Sequence, residues 1–597
     1  MVGLGVIPDR KINITGEMLL FRKNDQHLQW SLISDLDALP PKLKDRLENS
    51  WAGTFYREVF VRLDEEPFAV LYSDEASRPN IPINVLVGLE TLKAGCGWSD
   101  EEMYENFCFN LQVRYALGCR KLDEGHFELR TVYNFRRRLS EHRQETGQEL
   151  LVQAFEQVTD EQVVAFSIQT NKLRMDSTQV ASNIRQFSRL QLLVEVLQRV
   201  HRELTEADQQ QYGGHFEPYL KGSSGQYVYQ LKPGAYGSHL EQIGQVMSRL
   251  VTELAPAYGQ QPSYQMLVRV FNEHFIIAAS QTEDDDNDQW RPRQGDELSA
   301  DSLQSPDDWI ATYRQKRDET FTGYVTNLAE TCHPDNPFQL ILDLQTEPNT
   351  TDDAQMLAEG LPALKTRTDL DEMHTDGGYS SPEVDRVMRQ EQVAQTQTAI
   401  RGRQPDPSKL NLDDYQWELD PDGQPLALTA PNGHRTEVEP GRKPDRYIAR
   451  FNQSPDSSPP SPSASTSTKP PPPPVLYFTR QEVELALRRQ RSAQARTAGC
   501  NLRAAVEATV GALKRPFPND KLPVRGQFRV NSMLIGSALM VNLRRIHRYQ
   551  TAKDHQKETQ QRQEGSQTPI FSLPFVRQIR LLVYHLSFGS RFSPVHL

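Results

Sequence analysis

From Ser454 to Pro474 every residue is Ser, Thr or Pro except Asp456, Ala464 and Lys469. Proline lacks the amide hydrogen that helices and central strands need, and Ser and Thr offer little apolar surface to bury. The stretch reads as a polyproline or disordered linker, assigned to 454–478. A chain of 597 residues has room for about three or four domains. With 39 prolines and 33 glycines unevenly spread, a single uninterrupted domain is not expected.

Several function classes fall away early. No apolar run approaches the ~20 residues of a membrane span; the longest, Met533 to Val541, is interrupted by Gly536 and Ser537. The N-terminus has no basic region followed by a long apolar stretch, so the expectation is a cytoplasmic protein. Cys96, Cys108, Cys119, Cys332 and Cys500 form no C-x-x-C pair, which excludes a zinc ribbon and a disulfide scaffold. Neither a phosphate-binding G-x-x-x-x-G-K-[ST] loop nor H-E-x-x-H is present. The formal charge of −12 conceals a polarised distribution. Arg488 to Arg548 holds thirteen Lys or Arg against two acids, Glu507 and Asp520, whereas Glu283 to Asp288 is an acidic run. The basic stretch is suited to a phosphate backbone.

Periodicity divides the chain further. Residues 1–71 carry mixed signals and are unassigned. Over 72–150 the pattern is helical, with Val85, Leu89 and Leu92 on one face and Met103, Phe107 and Leu111 on another, broken at Gly95 and Gly97. A third helix around Phe127 to Leu139 is crowded with Arg130, Arg136, Arg137 and Arg138 beside Tyr133 and Phe135. That density suits DNA backbone contact; a salt-bridged surface facing Glu128 and Glu141 is the alternative. A short strand ends in Asp176-Ser-Thr178, followed by a helical insertion over 181–314 that includes the acidic tract. Two strands, Gly323–Leu328 and Phe338–Leu344, flank the turn His333–Pro337 and predict a hairpin. Thr350-x-x-Asp353 predicts a helix start, and a strand is expected at Val393 to Ile400. Residues 401–453 read as a β-rich insertion with turns at Asp422-Gly423 and Asn432-Gly433. After the linker, Thr479-x-x-Glu482 opens a long helix expected to run to Lys514, where Pro516 and Pro518 stop it. A tail covers 550–597.

Three carboxylates stand out. Asp176 and Asp376, the latter in Asp376-Gly-Gly-Tyr379, each sit where a strand should end. Glu507 lies in Arg503-Ala-Ala-Val-Glu507, seven residues before Lys514. At 100° per residue from Cys500, Arg503 falls at about −60°, Glu507 at about −20° and Lys514 at about −40°, one narrow face. Two carboxylates on neighbouring strands and one on a helix can hold two Mg²⁺ ions for phosphoryl chemistry, with Arg503 and Lys514 neutralising phosphates beside them.

These residues resemble those of bacterial insertion-sequence transposases of the DDE class. The likeness rests on the Asp176-Ser-Thr178 strand, the Asp376-Gly-Gly-Tyr379 turn and the Arg-x3-Glu-x6-Lys helix; the family's fuller helix motif begins with a Tyr where this chain has Cys500. The resemblance implies an α/β chain with an RNase H-like catalytic domain built from 160–180, 315–400 and 479–549. That domain is split by the helical and β-rich insertions and preceded by an all-helical DNA-binding domain. The three acids are expected on the first strand, after the fourth strand, and on a C-terminal helix. It further implies that Asp176, Asp376 and Glu507 are catalytic and bind two Mg²⁺ ions, with Mn²⁺ able to substitute. Arg503 and Lys514 would contact phosphates near the scissile bond. The partners implied are transposon inverted repeats, target DNA and a second copy of the chain, since two ends must be joined. Arg136, Arg137 and Arg138 are candidates for holding DNA. Trp417, beside Tyr415, is a candidate for stacking a flipped base, as an aromatic in such an insertion can do. A relative that only binds DNA is the rival expectation; it would keep the Arg-rich helices but has no need of all three acids.

Overall fold

A mixed β-sheet organises the chain. The structure, a computed structural model, describes residues 21–28, 34–72, 80–232, 234–277, 290–316, 318–398, 400, 405–420, 422–451, 472–497 and 501–565. Five strands of the sheet are β1 (Lys172–Ala181), β2 (Glu319–Thr331), β3 (Ile341–Pro348), β4 (Glu372–Thr375) and β5 (Ala394–Gln397). They lie in the order β3-β2-β1-β4-β5, antiparallel from β3 to β1 and parallel from β1 to β5. A sixth strand, Thr312–Lys316, pairs with the start of β2. The change from antiparallel to parallel follows from the connections. A short turn joins β2 to β3, whereas β3 reaches β4 through helix Asp353–Arg367 and β4 reaches β5 through helix Pro382–Gln390. The expected hairpin and helix are present. The helix cap, however, is Asp352, whose side chain accepts from the Ala354 amide, while the Thr350 amide bonds Thr312 Oγ1.

Alternation along β1 sends Leu173 and Met175 into a core with helices Asp353–Arg367 and Pro382–Gln390. Arg174, Asp176, Thr178 and Val180 therefore point to the opposite face. There Val180, Leu328 and Ile341 pack with Val506 and Leu513 of helix Val506–Lys514 and with Val530, Leu534 and Ala538 of the C-terminal helix Gln527–Gly565. The same core takes in Ala52, Phe55 and Phe60 as well as Leu89, Phe107 and Phe135. The all-helical region expected over 72–150 is thus not a separately packed domain: helices from Pro41 onward belong to it, and its apolar surface is shared with the sheet. The longest apolar run, Met533 to Val541, lies within the buried part of this helix. Its two interrupting residues have physical reasons. Ser537 Oγ donates to the Leu513 carbonyl at 2.7 Å. A Cβ on Gly536 would stand 2.8 Å from Ala94 Cβ, and one on Gly95 2.1 Å from Met540 Cγ, so two helices cross closely there.

The helical insertion has its own core, in which Leu193, Leu197 and Val200 meet Ile243, Met247 and Leu267; the acidic run Glu283 to Asp288 lies outside the described residues. The β-rich insertion is a five-stranded antiparallel sheet of Gln416–Leu419, Pro425–Thr429, Arg435–Pro440, Arg446–Arg450 and Val475–Thr479. Its last strand comes after the Pro/Ser-rich stretch, so residues 475–478 are sheet rather than linker; 452–471 lie outside the described residues. The long helix expected from Thr479 to Lys514 is in fact two, Arg480–Thr497 and Val506–Lys514. The Thr479–Glu482 capping box does open the first: the Thr479 amide donates to Glu482 Oε2 and the Glu482 amide to Thr479 Oγ1. The chain forms two compact units, Met1–His547 and Arg548–Leu597. In the second, the described residues of the expected tail are helical as far as Gly565. Among the described residues no helix is long and apolar enough to cross a membrane.

The close crossing yields a prediction. Gly95→Ala places a methyl against Met540 and is expected to destabilise the protein by about 1–3 kcal/mol through overpacking. A lowered denaturant midpoint with an unchanged slope checks it; an unshifted midpoint would mean the helices do not meet there.

Candidate active site

Parallel pairing of β1 with β4 runs Lys172 with Glu372, Leu173 with Met373 and Arg174 with His374. Two residues further along each strand are Asp176 and Asp376. The register alone therefore puts the two aspartates side by side at the carboxyl end of β4. Asp376 terminates β4 by capping the single turn Gly377–Tyr379, its Oδ1 accepting from the Gly378 amide at 2.7 Å. Asp176 accepts from the Ser177 amide at 3.1 Å.

Glu507 comes to this edge from the first turn of helix Val506–Lys514. Arg503, in the turn just before that helix, links all three acids. Its Nη2 donates to Asp176 Oδ1 at 3.1 Å and lies 3.9 Å from Asp376 Oδ2, while its Nη1 is 3.7 Å from Glu507 Oε1. The helical phasing derived from an unbroken helix does not apply, because Arg503 precedes the helix and Cys500 lies outside the described residues. The grouping of Arg503 with Glu507 is nevertheless present.

Exposure differs sharply across the cluster. Asp176 and Arg503 are 14% and 16% exposed, Glu507 70%. Burial pushes the Asp176 carboxyl above its usual range; Arg503 opposes the rise and the neighbouring Asp376 adds to it. Arg503 Nε is buried and has no hydrogen-bond partner among the described residues. Among those residues, no three His, Cys, Asp or Glu are grouped as a metal-holding cluster; a guanidinium stands among the acids. The donor set itself is three carboxylates, the hard oxygen ligands that Mg²⁺ takes.

Lys514 lies two helical turns beyond Glu507, about 10 Å along the axis. It pairs with Asp520 at 2.8 Å and lines a cleft of about 630 Å³ with Ser177, Thr178, Arg314 and Lys316. It is therefore next to the Asp176 strand but not in the Arg503 cluster.

The remaining candidates are elsewhere. Arg136 is spent internally, on Glu90 at 2.7 Å and on Asp100 at 2.7 Å. Arg137 pairs with Glu141 one turn on, as the salt-bridged alternative expects, and the Arg138 guanidinium lies 4.8 Å from the Tyr72 ring centroid. Trp417 helps build the small sheet's core. Its Nε1 donates to the Leu412 carbonyl at 3.0 Å and its ring meets Phe478 edge-on at 5.0 Å. The sequence reading missed Arg174, Glu330, Thr509 and Arg545, which form a buried polar group behind Glu507. Opposite charges beside apolar neighbours, Arg174 between Leu173 and Met175 and Glu330 after Leu328 and Ala329, were the available signal.

No family model matches the chain, and comparison with curated proteins and with solved structures returns no match.

Two outcomes follow from these placements. Burial opposes ionisation of Asp100, yet hydrogen bonds from Arg136 and Lys93 hold its carboxyl down at about 2. A depressed carboxylate stabilises the fold above its unfolded value of 3.8, and that stability fades as pH falls toward 2. Arg136→Ala is expected to cost about 2–3 kcal/mol at neutral pH, below the fully buried case because each partner is partly exposed. It should also flatten the acid limb of a stability–pH curve; an unchanged unfolding midpoint at neutral pH contradicts this. Trp417→Ala should lower stability by about 2 kcal/mol while leaving any DNA cleavage by the folded protein intact, as read by thermal unfolding alongside a cleavage assay.

Proposed function

We propose that the protein is a DNA transposase of the DDE class, cutting transposon ends and joining them to target DNA by Mg²⁺-dependent phosphoryl transfer. The observation that carries this reading is the convergence of Asp176, Asp376 and Glu507 on Arg503. Their positions support it: the first strand of the sheet, the end of Glu372–Thr375, which is fifth in chain order once Thr312–Lys316 is counted, and a helix toward the C-terminus. The order β3-β2-β1-β4-β5 is compatible with an RNase H-like catalytic domain.

In this reading Asp176, Asp376 and Glu507 would hold two Mg²⁺ ions, or Mn²⁺ in their place, and the chemistry supplied when they are bound would be activation of the attacking oxygen and stabilisation of the leaving one. Burial and the neighbouring Asp376 disfavour the charged form of Asp176, and Arg503 opposes them in the protein alone. When DNA enters, the Arg503 guanidinium is the cation nearest the three acids for a phosphate oxygen. Lys514, in the cleft beside Ser177 and Thr178, takes a neighbouring phosphate. Joining two DNA ends calls for two copies of the chain. A relative that only binds DNA would not need three acids gathered on one arginine.

The test is strand cleavage of DNA carrying the element's own ends, run beside a gel-shift assay. Glu507→Gln, Asp176→Asn and Asp376→Asn should each lower cleavage by about a thousandfold, the scale of several kcal/mol of transition-state stabilisation. DNA affinity should hold or rise slightly as repulsion from phosphate falls. A double variant should be little worse than either single one, because the acids act as a unit. Near-normal cleavage by Glu507→Gln would remove it from the site.

A further inference from the structure

Among the described residues, a fully buried charged group lies not in the site but behind it. Glu330 on β2 is fully buried, with a side-chain exposure of 0%, and stands directly opposite Arg174 of β1 in the antiparallel register. Its Oε1 accepts from Arg174 Nε at 2.7 Å and its Oε2 from Arg545 Nη1 of the C-terminal helix at 2.7 Å. The Thr509 hydroxyl donates to the same carboxylate, at 2.8 and 2.9 Å to its two oxygens, and accepts from Arg545 Nη2. Arg174 has a second bond, from Nη1 to the Leu502 carbonyl at 2.7 Å. Both ends of one short segment are thereby gripped. Leu502 immediately precedes Arg503, and Thr509 lies two residues after Glu507.

We propose that Glu330 is a positioning residue that brackets the Arg503–Glu507 segment, fixing it over Asp176 from behind through Arg174 at one end and Thr509 at the other. The inference rests on the reading of the three acids as a metal site. The physical need is clear from exposure: Glu507 is 70% exposed at the start of a nine-residue helix preceded by a turn, with little packing of its own to fix it. Thr509, two residues on and so about half a turn round on the buried side, is 2% exposed. A carboxylate buried between two guanidiniums ties four elements together only while every partner is present, since removing one leaves a buried charge uncompensated. Partners behind metal ligands act in this way on affinity, by orienting the ligands.

The experiment measures Mn²⁺ binding to the full-length protein without DNA by electron paramagnetic resonance, with a thermal melt on each variant. Thr509→Val keeps the shape and removes the hydroxyl; it should weaken Mn²⁺ binding about tenfold with DNA affinity unchanged. Thr509→Ser should restore binding. Glu330→Gln should weaken it at least as much, and if that variant fails to fold the Thr509 pair decides alone. A purely structural hydroxyl would lower the melting temperature and leave Mn²⁺ affinity at the wild-type value, which overturns the proposal. Asp176→Asn separates the two levels. If it abolishes Mn²⁺ binding while Thr509→Val does not change it, the bracket alone is wrong. If Asp176→Asn leaves binding untouched, the metal site and the bracket fall together.

Discussion

The pairing of β1 is the constraint on which the site depends. One edge of β1 is antiparallel to β2 and the other parallel to β4. Parallel pairing offers only discrete registers, and a slip of one residue would turn every side chain of β4 to the other face. The observed register sets Arg174 against His374, and so Asp176 beside Asp376. The same strand, on its other edge, sets Arg174 against Glu330. One strand thus fixes both the front of the site and the network behind it.

Charge is handled in pairs throughout this region. Three carboxylates brought to one edge repel each other, and Asp176 is mostly buried. A single guanidinium within 4 Å of all three offsets that repulsion. Behind it, the fully buried Glu330 is balanced by two arginines, where a lone ionised carboxylate would be untenable. The two clusters are joined through the backbone at Leu502, so the electrostatics of the interior bear on the geometry of the exposed Glu507.

Insertions enter this sheet without disturbing it because each brings its own core. The helices between β1 and β2 bury their leucines and valines among themselves, and the five-stranded sheet after β5 packs around Tyr415, Leu428 and Phe478. The N-terminal helices are different. Their apolar faces merge with one side of the main sheet through the C-terminal helix, so sequence distance gives no hint of that contact. Their arginines look free in the sequence, but Arg136 meets Glu90 and Asp100, which come from other helices.

Local chemistry in the sequence determined the existence of the elements: period-2 and period-3.6 apolar patterns, the Thr479–Glu482 box, the turn at His333–Pro337 and the proline-rich break all depend on neighbours within a few residues. It also picked out Asp376, Arg503 and Glu507 by a strand end and by motif spacing; Asp176, expected at a strand end, is instead in the middle of β1, which runs on to Ala181. The break between Arg480–Thr497 and Val506–Lys514 was passed over: its local signal is only Gly499 and Asn501, with no proline. There the Leu502 carbonyl bonds Arg174 from a strand more than three hundred residues earlier. The fifth strand of the small sheet was not legible, because its partner lies across the proline-rich stretch. Which arginines are neutralised, which acids share a cation, and what holds Glu507 over the sheet are questions of proximity between residues far apart in the chain. Only the tertiary structure decides them, because ion pairs and buried hydrogen bonds depend on distance in space rather than on sequence separation.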